Sequence, residues 1–554
     1  MISDYFKKLL RLLWLLPGFL LWASFPPMGE HTDCLFALAP LLWLSRRADL
    51  RTGVRRWFLN GCVYWVATLA WMPAIVKNGG PWPLVLLGWF ALAAYCALYF
   101  AAFGYLVGSY WRWARGGDYW RRLLGLLIVE PLCWAGLELV RSRFLGGFAW
   151  NQLGVAPVNI GFGAPVALGG VYLVSAMVVL VNGTVASIAE RMWKPDPAIP
   201  KWLRSIETFI PLLLIYFVYS AADIATTNHQ SPTTNHQPRR LSVALVQRNF
   251  PCCFAEPDQH PLAIYSNLVI NVSALNPELV VLAESAMAEF GPVDHRRAHA
   301  FADWLMELSG ASAVLAGGSR REAEGRLYNS AALYTRAPDA NPAGDASAPQ
   351  IYDKVHLVPF GEYIPLDDLI PALKKLAPVG SCAAGEAKLL ELPLRDGSTL
   401  KIGVAICFED TDSALVREFA ARGAELLVFI TNDSWFSHSE ETVQHAWQAA
   451  ARALETGLPI VRVGNSGVTG VIYPDGRATW LAGADSRPLV DARGTLFERV
   501  EIAATGAAGR PATPYVRYGD LPLASLFALF ILTGFLIKYK AHYEQRRKMS
   551  LRVG

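Results

Sequence analysis

The chain has 554 residues, of which 53% are apolar and only 17% charged, with a formal net charge of +4. This length allows two or three domains, but the composition excludes an ordinary soluble protein. The globular part has no basic stripe interleaved with aromatics, which excludes a nucleic-acid-binding surface there.

The apolar residues are unevenly placed. Seven stretches fill the first 225 residues: Leu9 to Phe25, Cys34 to Leu44, Trp57 to Val76, Pro83 to Trp111, Leu123 to Leu139, Gly161 to Ala189 and Thr208 to Ala222. Leu521 to Ile537 forms an eighth. Most approach the roughly 20 residues needed to cross ~30 Å of hydrocarbon. Cys34 to Leu44 is short, and by length alone reads equally as a span or as a buried or re-entrant helix. Charge decides for a span. Arg46, Arg47, Arg51, Arg55 and Arg56 follow stretch two, Arg112, Arg115, Arg121 and Arg122 follow stretch four, and Arg191, Lys194, Lys201 and Arg204 follow stretch six. The intervening loops carry only Lys77, and Arg141 with Arg143. Cytoplasmic loops collect Lys and Arg, so this alternation predicts an inside N-terminus and requires stretch two to cross. Lys7, Lys8 and Arg11 before the first stretch also fit a signal peptide, but its cleavage would leave the alternation unexplained. The net charge sits mostly in these loops and implies contact with lipid headgroups.

Residues 226–240 contain Thr-Thr-Asn-His-Gln twice and read as a solvated linker after a seven-span membrane domain, residues 1–225. From Leu241 to residue 505 the pattern becomes short β-type runs alternating with helical ones. Predicted strands are Ser242 to Gln247, Leu279 to Ala283, Ala313 to Gly317, Ser330 to Tyr334, Lys401 to Ile406, Glu425 to Thr431, Pro459 to Val463 and Val468 to Tyr473. Predicted helices are Asp258 to Leu275, Asp294 to Ser309, Ser413 to Arg422 and Glu440 to Thr456. Such alternation predicts a layered α/β domain with one well-buried core. A connector, 506–520, leads to the eighth span, and residues 538–554 form a basic tail whose charge returns the C-terminus to the cytoplasm.

Eight cysteines divide between the two parts. Cys34, Cys62, Cys96 and Cys133 fall in or beside spans and read as small apolar residues. Cys252, Cys253, Cys382 and Cys407 share the outer domain, where an oxidising compartment permits a bridge from Cys382 to Cys252 or Cys253 or leaves them free. No pair has zinc-site spacing, so no metal is expected.

Three segments carry the candidate chemistry. These are Val280-Val-Leu-Ala-Glu284-Ser, Tyr352-Asp-Lys354-Val-His356-Leu-Val-Pro-Phe-Gly-Glu362-Tyr and Gly403-Val-Ala-Ile-Cys407-Phe408-Glu409-Asp. A carboxylate, an ammonium and a thiol near strand ends suit acyl transfer through a thiol. A base must take the thiol proton, and a fixed cation or backbone N–H must hold the oxyanion. Each has a plainer reading: Cys407 as a buried structural thiol, Glu284 as the solvated end of a strand, Lys354 as a surface lysine.

The three segments together resemble the Glu-Lys-Cys triad of the carbon-nitrogen hydrolase (nitrilase) superfamily. Because the domain sits between membrane spans, they resemble more closely the membrane-embedded apolipoprotein N-acyltransferases. Thr431-Asn-Asp-Ser-Trp435-Phe436, Gln444-His445, Arg452-Ala-Leu-Glu455, Arg462-Val-Gly-Asn465-Ser-Gly, Thr513-Pro-Tyr-Val-Arg-Tyr-Gly-Asp520, Leu137-Glu138-Leu-Val-Arg141 and Gly147-Phe-Ala-Trp150-Asn-Gln-Leu-Gly154 extend the likeness along nearly the whole chain. The resemblance implies an α-β-β-α sandwich beside a multi-pass helical domain. It makes Glu284 the base, Lys354 the cation and Cys407 the nucleophile, with Glu362, Phe408 and Glu409 in support. Trp150, Trp435 and Phe436 are expected to line the lipid side of the site or to anchor at the interface. No cofactor is implied. The implied reaction moves a fatty acyl chain from a membrane glycerophospholipid, through a Cys407 thioester, to the α-amino group of a diacylglyceryl-cysteine apolipoprotein, by a monomer in the bacterial inner membrane.

Three departures from the family pattern stand out. Leu282-Ala283 replaces a common Trp-Pro before the base, Phe408 replaces a common Tyr, and Phe250-Pro-Cys-Cys-Phe254 lacks the usual Gln and aromatic pattern. Two other functions fit parts of the sequence: a membrane-tethered amidase acting on a small amide, or a non-catalytic transporter or receptor with Glu130, Glu138 and Arg141 lining a pathway. His356 invites a Cys-His pairing but reads better as a polar structural residue.

The predicted topology is checked by labelling with a membrane-impermeant thiol reagent. A cysteine placed at Ser231 should react from outside intact cells, and one at Ser550 only after permeabilisation; the reverse pattern would put the catalytic domain in the cytoplasm.

Overall fold

A computed structural model describes residues 13–115, 118–161, 163–193, 201–230, 239–251, 260–336, 348–364, 381–503 and 512–553. Among these, six helices are long and apolar enough to cross a membrane: Leu50–Asn78, Trp82–Ala114, Tyr119–Arg141, Val166–Trp193, Ser205–Ile224 and Leu521–Lys540. They correspond to stretches three to eight. The first two stretches are broken up. The described part of stretch one is helical over Leu13–Leu15 and Leu16–Ala23, and it stops ahead of Pro26 and Pro27, which disfavour a helical residue before them. Stretch two holds the α-helix Ala39–Ser45, which starts at the turn containing Pro40. Seven residues rise about 10 Å, well short of a crossing. The helix Lys201–Gln230 enters the segment read as a linker, whose residues 231–238 lie outside the described residues. The last helix, Leu521–Val553, continues through most of the basic tail.

Aromatic rings hold the helical part together. Trp57 meets Phe103 edge-on at 4.7 Å, and Phe100 and Phe103 each meet Trp134 at 5.1 Å. A Cβ on Gly104 would lie 2.6 Å from the Trp57 ring, so only glycine lets these helices approach so closely. Charges inside this part are paired. Arg46 donates to both oxygens of Glu130 at 3.0 and 2.8 Å, and Trp111 Nε1 donates to Glu130 at 2.9 Å. Glu138 accepts the Leu153 N–H at 2.8 Å, and Arg141 donates to the carbonyls of Phe148 and Trp150 at 2.7 and 2.9 Å. Glu130, Glu138 and Arg141 are buried, and Glu138 and Arg141 line a cavity among the helices.

The globular part has two six-stranded mixed sheets. Strands β1 Arg239–Gln247, β2 Leu279–Leu282, β3 Ala313–Arg321, β4 Leu327–Thr335, β5 Gln350–Asp353 and β12 Gly494–Ile502 form one, in the order β12-β1-β2-β3-β4-β5. Strands β6 Leu389–Pro393, β7 Thr399–Ile406, β8 Leu426–Thr431, β9 Ile460–Gly464, β10 Gly470–Ile472 and β11 Ala478–Trp480 form the other, in the order β11-β10-β9-β8-β7-β6. Side chains alternate across each strand. Val243, Leu245, Leu279 and Val281 face the second sheet's Ile402, Val404 and Val428, while Ala244, Val246, Val280 and Leu282 pack against helices Pro261–Ser273 and Arg296–Ser309. Helices Ser413–Ala421 and Glu441–Thr456 cover the second sheet through Leu415, Val416, Phe419, Ala449 and Ala453. The result is an α-β-β-α sandwich.

The sandwich docks on the membrane helices mainly through helix Glu441–Thr456. Gln444 Nε2 donates to the Pro26 carbonyl at 2.9 Å, Gln448 Nε2 to Asn151 at 2.9 Å, and the Val171 N–H donates to Glu455 at 3.1 Å. Arg143 bridges Asp412 and Asp520 at 2.8 and 2.6 Å.

Removing one member of the buried Arg46–Glu130 pair strands the other. Glu130→Ala should destabilise the protein by about 3–5 kcal/mol, read as a lower unfolding temperature in detergent, whereas the double variant Arg46→Met/Glu130→Leu should recover much of that loss.

Candidate active site

The site forms where parallel strands end, the place that open α/β sheets offer to ligands. β2 pairs in parallel with β1 and β3, and β7 and β8 are parallel neighbours. Glu284 lies two residues beyond β2, Lys354 one residue beyond β5, Cys407 directly after β7 and Asn432 directly after β8. Gly317 on β3 keeps room for the first of these, since a Cβ there would lie 2.6 Å from the Glu284 Cα. Cys407 has φ of 55°, a left-handed conformation costly for a residue with a Cβ. It opens a short helical turn, Cys407–Thr411.

A network of hydrogen bonds joins Glu284 and Lys354 through Asn329 and Glu362. Asn329 Nδ2 donates to Glu284 Oε1 and to Glu362 Oε1, both at 2.7 Å. Lys354 Nζ lies 2.9 Å from Glu362 Oε2 and 3.0 Å from Oε1, with the lysine only 1% exposed. Glu362 also accepts the Val358 N–H at 2.8 Å, and the Asn432 N–H donates to Glu284 Oε2 at 2.8 Å. The Cys407 thiol interacts with the charges of Glu284, Lys354 and Asp433 and with the Thr431 hydroxyl.

These surroundings tune each group differently. Burial pushes the Glu284 carboxyl above its usual range, with Lys354 opposing. Burial acts the same way on Glu362, but Lys354 and Asn329 win and hold it below its usual range. Burial would lower Lys354, yet Glu362, Cys407 and Glu284 together raise it, so it stays cationic. Burial and then Glu284 raise the Cys407 thiol, which therefore rests protonated.

Glu409 braces the elbow. It accepts the backbone N–H groups of Val355, His356 and Ile406 at 2.7, 3.0 and 2.8 Å and the Tyr352 hydroxyl at 3.0 Å. It thus ties the Lys354 segment to the Cys407 segment, and burial raises its carboxyl to about 7. Phe408 stacks on Phe148 of the membrane part at 6.1 Å and meets His356 edge-on at 5.7 Å. The His356 nitrogens lie 3.2 Å from Asp412 and 2.6 Å from the Gly146 carbonyl, so both are engaged away from Cys407.

Two of the three expected lipid-side aromatics, Trp150 and Phe436, meet protein with their rings. Trp150 is 2% exposed, and its Nε1 donates to Gln444 at 2.8 Å. Phe436 packs edge-on against Trp71 at 4.8 Å, and the Trp435 carbonyl accepts from Asn78 at 2.8 Å. Cys252 and Cys253 lie outside the described residues, and Cys382 is a free, partly buried thiol.

Sequence reading missed Asn329, whose position on β4 has no signal of its own, and gave no role to Asp410, Asp433, His445 or Arg462. Asp433, Glu441 and His445 place ligand atoms within 4.8 Å of one another. Both His445 nitrogens already face carboxylates, and the Arg462 guanidinium lies 3.5 Å from Asp433, so this is an ion network and not a metal centre.

Asn329 is the donor that both carboxylates share. Asn329→Ala should slow turnover by about 10- to 100-fold, matching the ~1.5–3 kcal/mol of a hydrogen bond to a charged group, and lower the unfolding temperature because two buried carboxylates lose their donor.

Two family models match the chain: the apolipoprotein N-acyltransferase N-terminal domain over residues 17–184 and carbon-nitrogen hydrolase over residues 243–493. An apolipoprotein N-acyltransferase of Geobacter metallireducens is 32% identical over 516 residues, 91% of each chain. One of Photobacterium profundum is 27% identical over 547 residues, 96% of each chain. Among solved structures, a mutant of the Nesterenkonia AN1 amidase from the nitrilase superfamily is 19% identical and covers 52% of this chain and 97% of its own, with a TM-score of 0.35. On the whole-length relatedness to the Geobacter protein, the chain belongs to the apolipoprotein N-acyltransferase family.

Proposed function

We propose that this membrane acyltransferase moves a fatty acyl chain from a glycerophospholipid to the α-amino group of a diacylglyceryl-cysteine apolipoprotein, with Cys407 as the carrier. The observation that carries this reading is the split between the two carboxylates on Asn329. Lys354 keeps Glu362 ionised, while burial leaves Glu284 able to take and return a proton.

In the first half-reaction Glu284 accepts the thiol proton as Cys407 sulfur attacks the sn-1 ester carbonyl. The oxyanion develops beside Lys354 and the Phe408 N–H at the elbow. It collapses to a thioester, and Glu284 returns the proton to the departing lysophospholipid hydroxyl. In the second, the acceptor amine attacks the thioester carbonyl, loses a proton to Glu284 and displaces the Cys407 sulfur, which is reprotonated. Glu362 takes no proton; it holds Lys354 in place.

An amine outcompetes water only at a sheltered thioester. The stacking of Phe408 on Phe148, in the loop that follows helix Tyr119–Arg141, supports such shelter by covering one side of the Cys407 turn with the membrane part. We further infer that the catalytic domain lies outside the inner membrane with both termini in the cytoplasm, from the Lys and Arg alternation of the loops, and that the enzyme works as a monomer without a cofactor.

Intact mass spectrometry tests the chemistry. Mixed with phospholipid, the wild-type protein should gain one fatty-acyl mass on Cys407, and Cys407→Ala should gain none and form no N-acylated product. A small-molecule adduct in place of a lipid chain would favour an amidase, and a Cys407→Ala protein that still N-acylates would overturn the mechanism. Glu284→Gln should fold and lose more than tenfold, about 1.4 kcal/mol, in acyl-enzyme formation. Because Glu284 sits above its ordinary 4.5 and acts when ionised, the wild-type rate should fall as pH drops through a value higher than 4.5.

A further inference from the structure

Behind the nucleophile lies a buried charge cluster that the acyl-transfer steps do not use. His445 Nε2 is 2.9 Å from Asp410 Oδ1, and Nδ1 is 3.0 Å from Asp433 Oδ1 and 3.5 Å from Glu441 Oε1. Arg462 stands 3.6 Å from Asp410 and 3.5 Å from Asp433. All five side chains are buried. A neutral imidazole carries a single N–H and can donate to one carboxylate only. Nδ1 hydrogen-bonds Asp433, and the Asp410 carboxylate 2.9 Å from Nε2 makes a charge contact without hydrogen-bond geometry; together the two anions favour the doubly protonated ring. Burial pulls that ring down, and Asp410 and Asp433 more than reverse it, while burial and then Asp433 push Glu441 up. With Glu441 neutral, two cations face two anions and the buried cluster closes at zero charge.

The cluster connects three parts of the molecule. Asp410 belongs to the turn that Cys407 opens. Asp433 Oδ1 accepts from the Thr431 hydroxyl at 2.6 Å, and both Thr431 and Asp433 act on the Cys407 thiol. The Trp150 ring lies 5.5 Å from the His445 ring, and adjacent Gln444 bonds to the membrane part.

We propose that His445 is a positioning residue for acyl transfer: its doubly protonated ring clamps Asp410 of the elbow to Asp433 beside the thiol and screens the thiol from Asp433's charge. This rests on the reading of Cys407 as nucleophile. The groups facing the ring are Asp410 from the elbow, Asp433 from the turn after β8, Glu441 from its own helix, Arg462 from β9 behind both aspartates, and Trp150 from the membrane part.

The test measures alkylation of Cys407 by iodoacetamide against pH in the purified full-length protein, followed by the mass of the peptide bearing Cys407. H445Q leaves Asp433 less compensated, so its alkylation profile should move to higher pH by about one unit or more. D433N removes the charge itself and should move the profile to lower pH, and the double variant should fall back toward wild type. A purely structural role would lower the unfolding temperature without shifts of opposite sign. A folded H445Q whose profile overlies wild type, or a D433N that moves upward or not at all, overturns the proposal; D433N alone decides if H445Q does not fold. No arm uses phospholipid, so failure here is separate from failure of the thioester reading.

Discussion

Everything at the site follows from placing a lysine ammonium where water barely reaches it. An isolated cation in such surroundings costs several kcal/mol even after relaxation, so Lys354 requires anionic partners with good geometry. Glu362 supplies the direct one and Glu284 a second, and Asn329 holds the two carboxylates in one orientation. The same attraction that makes the lysine tolerable divides the labour between the acids. The carboxylate in contact with Lys354 stays charged. The one that burial governs keeps access to both protonation states.

The arrangement depends on contacts from the membrane part. Phe148, Gly146 and Arg143 reach Phe408, His356 and Asp412, which flank the elbow. On the other side, helix Glu441–Thr456 presents Gln444 and Gln448 to the spans and His445 to the ion cluster. The Cys407 turn thus sits on the seam between the two parts, the location that the acyl transfer proposed above requires.

What the sequence made legible, and what it hid, follows from burial. The eight predicted strands are the interior strands of both sheets, whose apolar runs are continuous because both faces are covered. The four strands missed, β5, β6, β11 and β12, are the four sheet edges. β12 carries Glu498, Arg499 and Glu501, and β11 has three residues, so neither shows a strong period. Glu284, Lys354 and Cys407 were readable as a candidate site because their segments resemble a family; Asn329 was not, because an asparagine within a strand has no local mark. In the helical part, stretches three to eight are long helices, but Pro26, Pro27 and Pro40 divide the first two apolar stretches into helices shorter than composition implied, so stretch two does not form the span that the charge alternation required.

The left-handed backbone at Cys407 has a consequence for how this protein evolves. Glycine is the residue best suited to that conformation, and any side chain there holds local strain of order 1–3 kcal/mol. Selection for thermal robustness alone would drift the position toward glycine and erase the thiol. On the nucleophile reading proposed above, cysteine keeps its thiol at this position at the expense of local stability.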